Sequence, residues 1–131
     1  MDYREAYEKA LQLLNVRFLS EGELKAKLRR RGVDDDVLKD VVAALEGEHF
    51  LDDQRLARDV YRYYARKGQY GHLYIVNRLR RRCLPVPEDV ERPDEYALAG
   101  NLVKRKFSYR ADEARKAARF LQYRGFSPSV I

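Results

Sequence analysis

Apolar side chains in this chain recur at three- and four-residue steps, and almost nowhere do they alternate with polar ones. Tyr3, Ala6, Tyr7, Ala10, Leu13 and Leu14 follow the i, i+3, i+4, i+7 template, which predicts a first helix over about Asp2–Val16. Ser20 and Glu23 have the spacing of a capping box. They open a second helix carrying Leu24 and Leu28, and Gly32 is placed to end it. Asp34 is expected to cap a third helix with Val37, Leu38, Val41 and Leu45 facing inward. A first unit therefore closes near His49.

The next helix starts at Asp52 or Asp53 and buries Leu56, Ala57, Val60, Tyr61 and Tyr64. Lys67-Gly68 ends it, Gly71 is expected to allow the turn, and Ile75, Val76, Leu79 and Cys83 share one face of the helix after it. Pro85, Pro87 and Pro93 then interrupt the pattern. Proline inside a helix costs about 3 kcal/mol or more, so the third helix of this unit should shrink to a turn or vanish. A third unit begins at Asp94, with Leu98, Leu102 and Val103 on one helix and Ala114, Ala117, Ala118 and Leu121 on another. Ser127-Pro128 signals a further helix start, but the sequence stops three residues on. That helix is expected to be incomplete, leaving Phe126 and Val130 poorly covered.

The segments LKAKLRRRG, ending at Gly32, and AARFLQYRG, ending at Gly125, repeat one design, and the arginine-tipped helix ending at Cys83 varies it. Their anchors Leu28, Leu79 and Leu121 recur at roughly 40- to 50-residue steps, the signature of a tandem array. The expected organisation is all-α and elongated: a three-helix repeat over 1–50, a second over 51–93 with its third helix shortened, and a third over 94–131 with its last helix incomplete.

Composition narrows this further. Hydrophobic residues at 45% can fill a core, and charged residues at 37%, well above the ordinary quarter, suit exposed helices. Cys83, the single cysteine, excludes an internal disulfide and fits a reducing compartment. It occupies the place of Gly32 and Gly125, so it reads as a small packing residue. No apolar run approaches the roughly 20 residues of a membrane span, and no signal peptide opens the chain. A cytoplasmic protein with no membrane partner is expected.

The chemistry of a catalytic, cofactor or metal site is missing from the pattern. His49 and His72 have no ligand-spaced partner, and Asp34-Asp35-Asp36 is explained by helix capping. Ser20, Ser108, Ser127 and Ser129 sit at plausible caps or turns, and no G-K-[ST] phosphate loop exists. The net charge of +6 instead permits a polyanionic partner. Lys25, Lys27, Arg29, Arg30 and Arg31 crowd the first unit; Arg78, Arg80, Arg81 and Arg82 tip the second; Lys104, Arg105, Lys106, Arg110, Arg115, Lys116, Arg119 and Arg124 fill the third. Such clusters also arise as solvated faces that complement helix ends. Their recurrence predicts a basic ridge that would hold phosphates through salt-sensitive charge, with little base reading. Tyr63, Tyr70 and Tyr74 beside it are candidates for stacking or for anchoring a protein partner, while Tyr61 and Tyr64 read as core.

Phe50-Leu-Asp-Asp53, Leu56-Ala57, Gly68, Gly71, Ile75 and Leu79 together resemble the central signature of the RecX regulators. Ser20-x-x-Glu23-Leu24 with Leu28 and Gly32 on one side, and Phe120-Leu121-x-x-Arg124-Gly125-Phe126 on the other, extend the resemblance over nearly the whole chain. The resemblance implies a curved array of three-helix repeats that lodges in the groove of the RecA recombinase filament. It further implies suppression of RecA ATPase and strand exchange, with DNA binding in some members. The chain departs from the family at Cys83, at the proline-rich 85–93 stretch and at the missing last helix. On this basis the expected partners are the RecA filament and, weakly and salt-dependently, single- or double-stranded DNA, with the chain acting as a monomer. The alternative is a stand-alone helical DNA-binding module, although no helix offers the Asn, Gln and Arg mixture that base reading needs.

Overall fold

The computed structural model describes residues 1–107 and 113–131, so Ser108 and Arg110, read above as a cap and as part of the basic series, lie outside the described residues. Seven helices run through the rest: α1 (Tyr3–Val16), α2 (Glu21–Arg30), α3 (Asp35–Gly47), α4 (Asp53–Arg66), α5 (His72–Arg81), α6 (Glu95–Lys106) and α7 (Ala114–Tyr123). No strand occurs among the described residues, in keeping with the all-α expectation. Between Arg81 and Glu95 no helix forms, as the three prolines dictate. Two compact units result: Met1–Ala57 with Arg81–Pro85, and Arg58–Arg80 with Val86–Ile131. The residues expected to form the middle repeat are distributed over both.

In the first unit, Ala6 and Ala10 are wholly buried on α1, and their small side chains let α1 pack against Leu24, Leu28, Leu38, Val41 and Leu45. A fully buried aliphatic side chain contributes roughly 1.5–3 kcal/mol. An exposed ion pair such as Arg4–Glu8 contributes roughly 1 kcal/mol at most. The core therefore outweighs the surface charges. Asp2 caps α1 through the Glu5 amide at 2.9 Å. Ser20 and Glu23 make the expected capping box on α2. Asp34 does stand at the N-cap of α3, yet its side chain makes no cap hydrogen bond. Asp52 is the residue that caps α4, accepting from the Arg55 amide at 3.1 Å; Asp53 instead accepts from the Glu21 amide at 2.9 Å.

Cys83 requires a correction. Helix α5 stops at Arg81, so Cys83 lies past its end and not on its apolar face. Its φ of 58° matches the left-handed values of Gly32 (83°) and Gly125 (80°), so the three residues end their helices alike. Cys83 is exposed as a residue, but its Cβ lies against Gly22, where an added Cβ would come within 2.7 Å of it. A left-handed non-glycine residue costs roughly 1–2 kcal/mol. Cys83→Gly should therefore raise the urea midpoint, and an unchanged or lowered midpoint would show that contact with Gly22 outweighs the backbone strain.

The second unit is held by Tyr61, Ile75, Val76, Leu79, Ala99, Leu121 and Phe126, all buried. Gly71 stands in the connection between α4 and α5, as expected, and with no left-handed φ its use there is a close backbone contact. Its amide donates to the Arg124 carbonyl at 2.7 Å, and the Leu73 amide donates to the Gly125 carbonyl at 3.1 Å. The expectation for Phe126 is also overturned, because it is only 2% exposed. The Ser127 amide donates to the Glu95 carboxylate at 2.8 Å, and the Val130 and Ile131 amides turn back to the Ser127 carbonyl. Phe126 is buried in a cluster with Ala99 and Leu121, and Val130 packs half-buried against it, so both are covered although no full helix follows Ser127.

Tyr61, with no exposed surface, places its hydroxyl 2.8 Å from His72 Nδ1. Burial, reinforced by the Arg92 charge, holds the His72 pKa below its ordinary 6.5. The unfolded chain therefore takes up the proton first as pH falls. The stability contributed by neutral His72 is present above pH 6.5 and is lost between that value and the lower folded-state pKa. His72→Gln should flatten this part of the stability–pH curve; a slope through the window identical to that of the parent chain would assign it to other groups.

Candidate functional site: a tyrosine–cation cluster

The i, i+4 spacing that builds helices also places side chains one turn apart on the same face. This aligns Tyr63 on α4 with Lys67 in the turn just past its end, and on α5 it aligns Tyr74 with Arg78. Tyr70, in the connection between the two helices, stacks on Tyr74 with ring centres 4.0 Å apart and planes within 6°. Tyr64, expected in the core, is only half-buried and sits edge-on to Tyr63, Tyr70 and Tyr74 at 5.2, 5.9 and 5.9 Å.

Cations are laid against these rings. Arg78 donates to the Tyr74 hydroxyl from Nε at 3.1 Å and from Nη2 at 2.8 Å. Arg124 lies 5.4 Å from the Tyr70 ring centre and 5.0 Å from that of Phe120 on α7. Lys67 Nζ stands 4.7 Å over Tyr63, and Lys106 Nζ 4.4 Å over Phe120. Such contacts contribute about 0.5–1 kcal/mol each at exposed sites, enough to orient a side chain without neutralising it. Burial alone would raise the Tyr74 pKa; hydrogen bonds from Arg78 and Tyr70, with the Arg78 and Arg124 charges, more than reverse that and lower it. No carboxylate forms an ion pair with Lys67, Arg78, Lys106 or Arg124 among the described residues. The result is an oriented group of cations, unpaired with any carboxylate among the described residues and suited to carboxylate or phosphate oxygens.

Base stacking is less well served. Tyr70 and Tyr74 already cover one another, and Arg124 lies against Tyr70. Tyr63, 55% exposed, is the most open ring of the three candidates.

The sequence-predicted residues divide accordingly. Tyr63, Tyr70, Tyr74, Arg78 and Lys106 come together in this cluster. In the first unit, Lys25 pairs with Glu21 at 3.1 Å and Arg29 with Asp35 at 3.0 Å, which spends part of the basic series on local contacts. Arg31 donates weakly to the Lys27 carbonyl at 3.5 Å, and neither Lys27 nor Arg30 makes an ion pair with a described residue. Arg81 is exposed, whereas Arg82 is tied to Glu23 at 3.0 Å and to the Phe18 carbonyl at 2.8 Å. Lys104, Arg105, Arg115, Lys116 and Arg119 are exposed on α6 and α7, outside the ring contacts. From the sequence, Lys67 is read only as a helix end, Phe120 only as part of the family signature, and Arg124 as a charge and part of that signature; none of the three is a candidate for a ring–cation contact. The Tyr63–Lys67 spacing was a readable signal; the Arg124–Tyr70 contact joins distant segments and left none.

Helices grouped around apolar cores, with cations and tyrosines on their outer faces, place this chain among helical-repeat proteins. Residues 6–45 match the family model described as RecX, first three-helix domain, and residues 93–131 the model described as RecX, third three-helix domain. Regulatory protein RecX of Pelodictyon phaeoclathratiforme is 32% identical over 89% of this chain and 78% of its own length. Regulatory protein RecX of Halorhodospira halophila is 38% identical over 93% of this chain and 81% of its own length. The relative from Geobacillus kaustophilus is 29% identical over 99% of the chain, which spans only about half (52%) of that longer protein. Among solved structures, RecX from Lactobacillus salivarius superposes with a TM-score of 0.79 at 23% identity, covering 98% of this chain and 91% of that one, a likeness of fold. The chain belongs to the RecX family of regulatory proteins. No described helix is long and apolar enough to cross a membrane.

Proposed function

We propose that this protein regulates the RecA recombinase by binding the RecA–DNA filament in its groove and suppressing ATP hydrolysis and strand exchange. RecA enters through the resemblance to RecX regulators, and membership of that family is the observation that carries the reading. The tyrosine–cation cluster supports it physically. Its cations are held in place and make no ion pair with a described residue, so they can meet acidic protein surface or DNA phosphates with little further loss of side-chain freedom. Binding of that kind stabilises one state of the filament without chemistry, and it weakens as salt rises.

The test is ATP hydrolysis by RecA on single-stranded DNA as the protein is titrated in. Inhibition well below one protein per RecA subunit is the expected result. Absence of inhibition by the folded protein, together with binding to free DNA, would transfer the reading to a stand-alone DNA-binding module. Arg78→Ala combined with Arg124→Ala should raise the inhibitory concentration by about tenfold or more, the order expected for two charge-assisted hydrogen bonds. Unchanged inhibition by a folded double variant would remove the cluster from the mechanism. Arg82 is a poor probe, because its loss disturbs Glu23 before it reports on any partner.

A further inference from the structure

On a neighbouring face of α4, Arg62 and Arg66 stand one turn apart and line a groove whose opposite wall is Arg92 and Pro93, with Ala65, Ala97 and Leu98 lining it as well. All of these residues belong to the second unit. The proline-rich 85–93 segment forms no helix, and its end at Arg92 and Pro93 lines the groove. Asp89 pairs with Arg58 at 3.6 Å and fastens that segment to α4, one turn before Arg62. The three arginines at the groove are exposed, and none forms an ion pair or hydrogen bond with a described residue. Arg92 is close enough for its charge to act on both Tyr61 and His72.

One feature separates this surface from a phosphate track: Ala65, Ala97 and Leu98 line it together with the guanidiniums, and an anionic backbone has no use for them. Glu91 and Asp94 line it as well and oppose part of the arginine charge. A single carboxylate flanked by an aliphatic or aromatic side chain uses both parts: guanidinium forks for the carboxylate, and Ala97 and Leu98 for the apolar group.

We propose that this groove binds a short segment of a partner protein in which carboxylates alternate with apolar side chains, gripped by Arg62, Arg66 and Arg92. The inference uses no residue of the tyrosine–cation cluster and stands or falls independently of the RecA reading.

The experiment is fluorescence anisotropy of the full chain with a fluorescein-labelled peptide of alternating aspartates and leucines. Controls replace every aspartate with asparagine or every leucine with serine. Saturable binding of the parent peptide, with both controls much weaker, is expected. Arg62→Ser with Arg66→Ser should weaken binding by about tenfold or more, on the scale of charge-assisted hydrogen bonds. Lys104→Ser with Arg105→Ser, an equal loss of charge elsewhere, should leave binding nearly unchanged. Ala97→Glu, at an exposed helical position, should also abolish binding by placing a carboxylate in the groove. Equal affinity for the serine control would overturn the proposal in favour of non-specific charge attraction, and equal losses in the two double variants would do the same. Displacement by oligothymidylate, with oligothymidylate itself losing affinity in the Arg62/Arg66 variant, would overturn it in favour of a phosphate groove.

Discussion

Gly125→Ala is expected to destabilise the second unit by about 3 kcal/mol or more, from roughly 1 kcal/mol of left-handed backbone strain plus overpacking against a neighbour that cannot move aside. Gly125 has φ of 80°, and a Cβ there would run into the backbone nitrogen and Cα of Tyr74 in the first turn of α5. That neighbour is main chain, fixed by the amides of Gly71 and Leu73 donating to the Arg124 and Gly125 carbonyls. Relief would require these two hydrogen bonds to lengthen, displacing Tyr74 and hence its stack on Tyr70. Two comparisons separate the contributions. Gly32→Ala meets nothing within 4 Å at φ of 83°, so it should show the backbone strain alone, about 1 kcal/mol. Gly71→Ala, with no left-handed φ but a collision with the Gly125 carbonyl, should show the contact alone. Urea unfolding, with hydrogen exchange of the α5 and α7 amides, reads all three. Equal losses for Gly125→Ala and Gly32→Ala would mean that the close approach contributes nothing.

Ser20→Ala is expected to cost the first unit about 2 kcal/mol, roughly 1 for the lost helix cap and at least as much for the abandoned carbonyl. Ser20 is fully buried; its hydroxyl accepts from the Glu23 amide at 3.1 Å and donates to the Arg82 carbonyl. Alanine leaves both groups without that partner. The same node has a pH signature. Burial on its own raises the Glu23 pKa; hydrogen bonds from Arg82 and the Ser20 amide, with the charges of Arg82 and Arg17, more than reverse this and hold it below the ordinary 4.5. A depressed carboxyl pKa contributes stability that is present above pH 4.5 and is lost as pH falls through the folded-state value. Glu23→Gln should remove most of that acid-side slope. A Ser20→Ala loss within a few tenths of a kcal/mol of zero would show that water replaces the hydroxyl at both ends.

The Ser20–Glu23–Arg82 node illustrates how legibility varies along the chain. The capping box was readable because its two members lie three residues apart and their chemistry is local. Arg82 was read from the same page as one more cation for a partner, since nothing in a run of arginines says which one turns inward. The acidic residues behave alike. Asp2 and Asp94 cap as their positions suggest, at 2.9 and 3.2 Å from the amides they bind, while Asp53 leaves its own helix to meet Glu21.

The sequence by itself determined the helices, most of their starts and stops though not the end of α5, the loss of helix across 85–93 and the family. All of these rest on short-range rules: 3.6-residue periodicity, caps three residues apart, proline geometry, and motif order along one chain. Only the tertiary structure decided that Phe126 is buried with Ala99 and Leu121, that Gly71 serves a close backbone approach, and that Tyr70, Tyr74, Arg78, Phe120 and Arg124 form one surface. It also separated Arg82, bound inside the first unit, from Arg62, Arg66 and Arg92, left open around a groove. The physical reason is common to all of them. Each depends on segments some 30 to 60 residues apart being packed together, and the energy of such contacts is fixed by distance and burial, which local sequence rules do not encode.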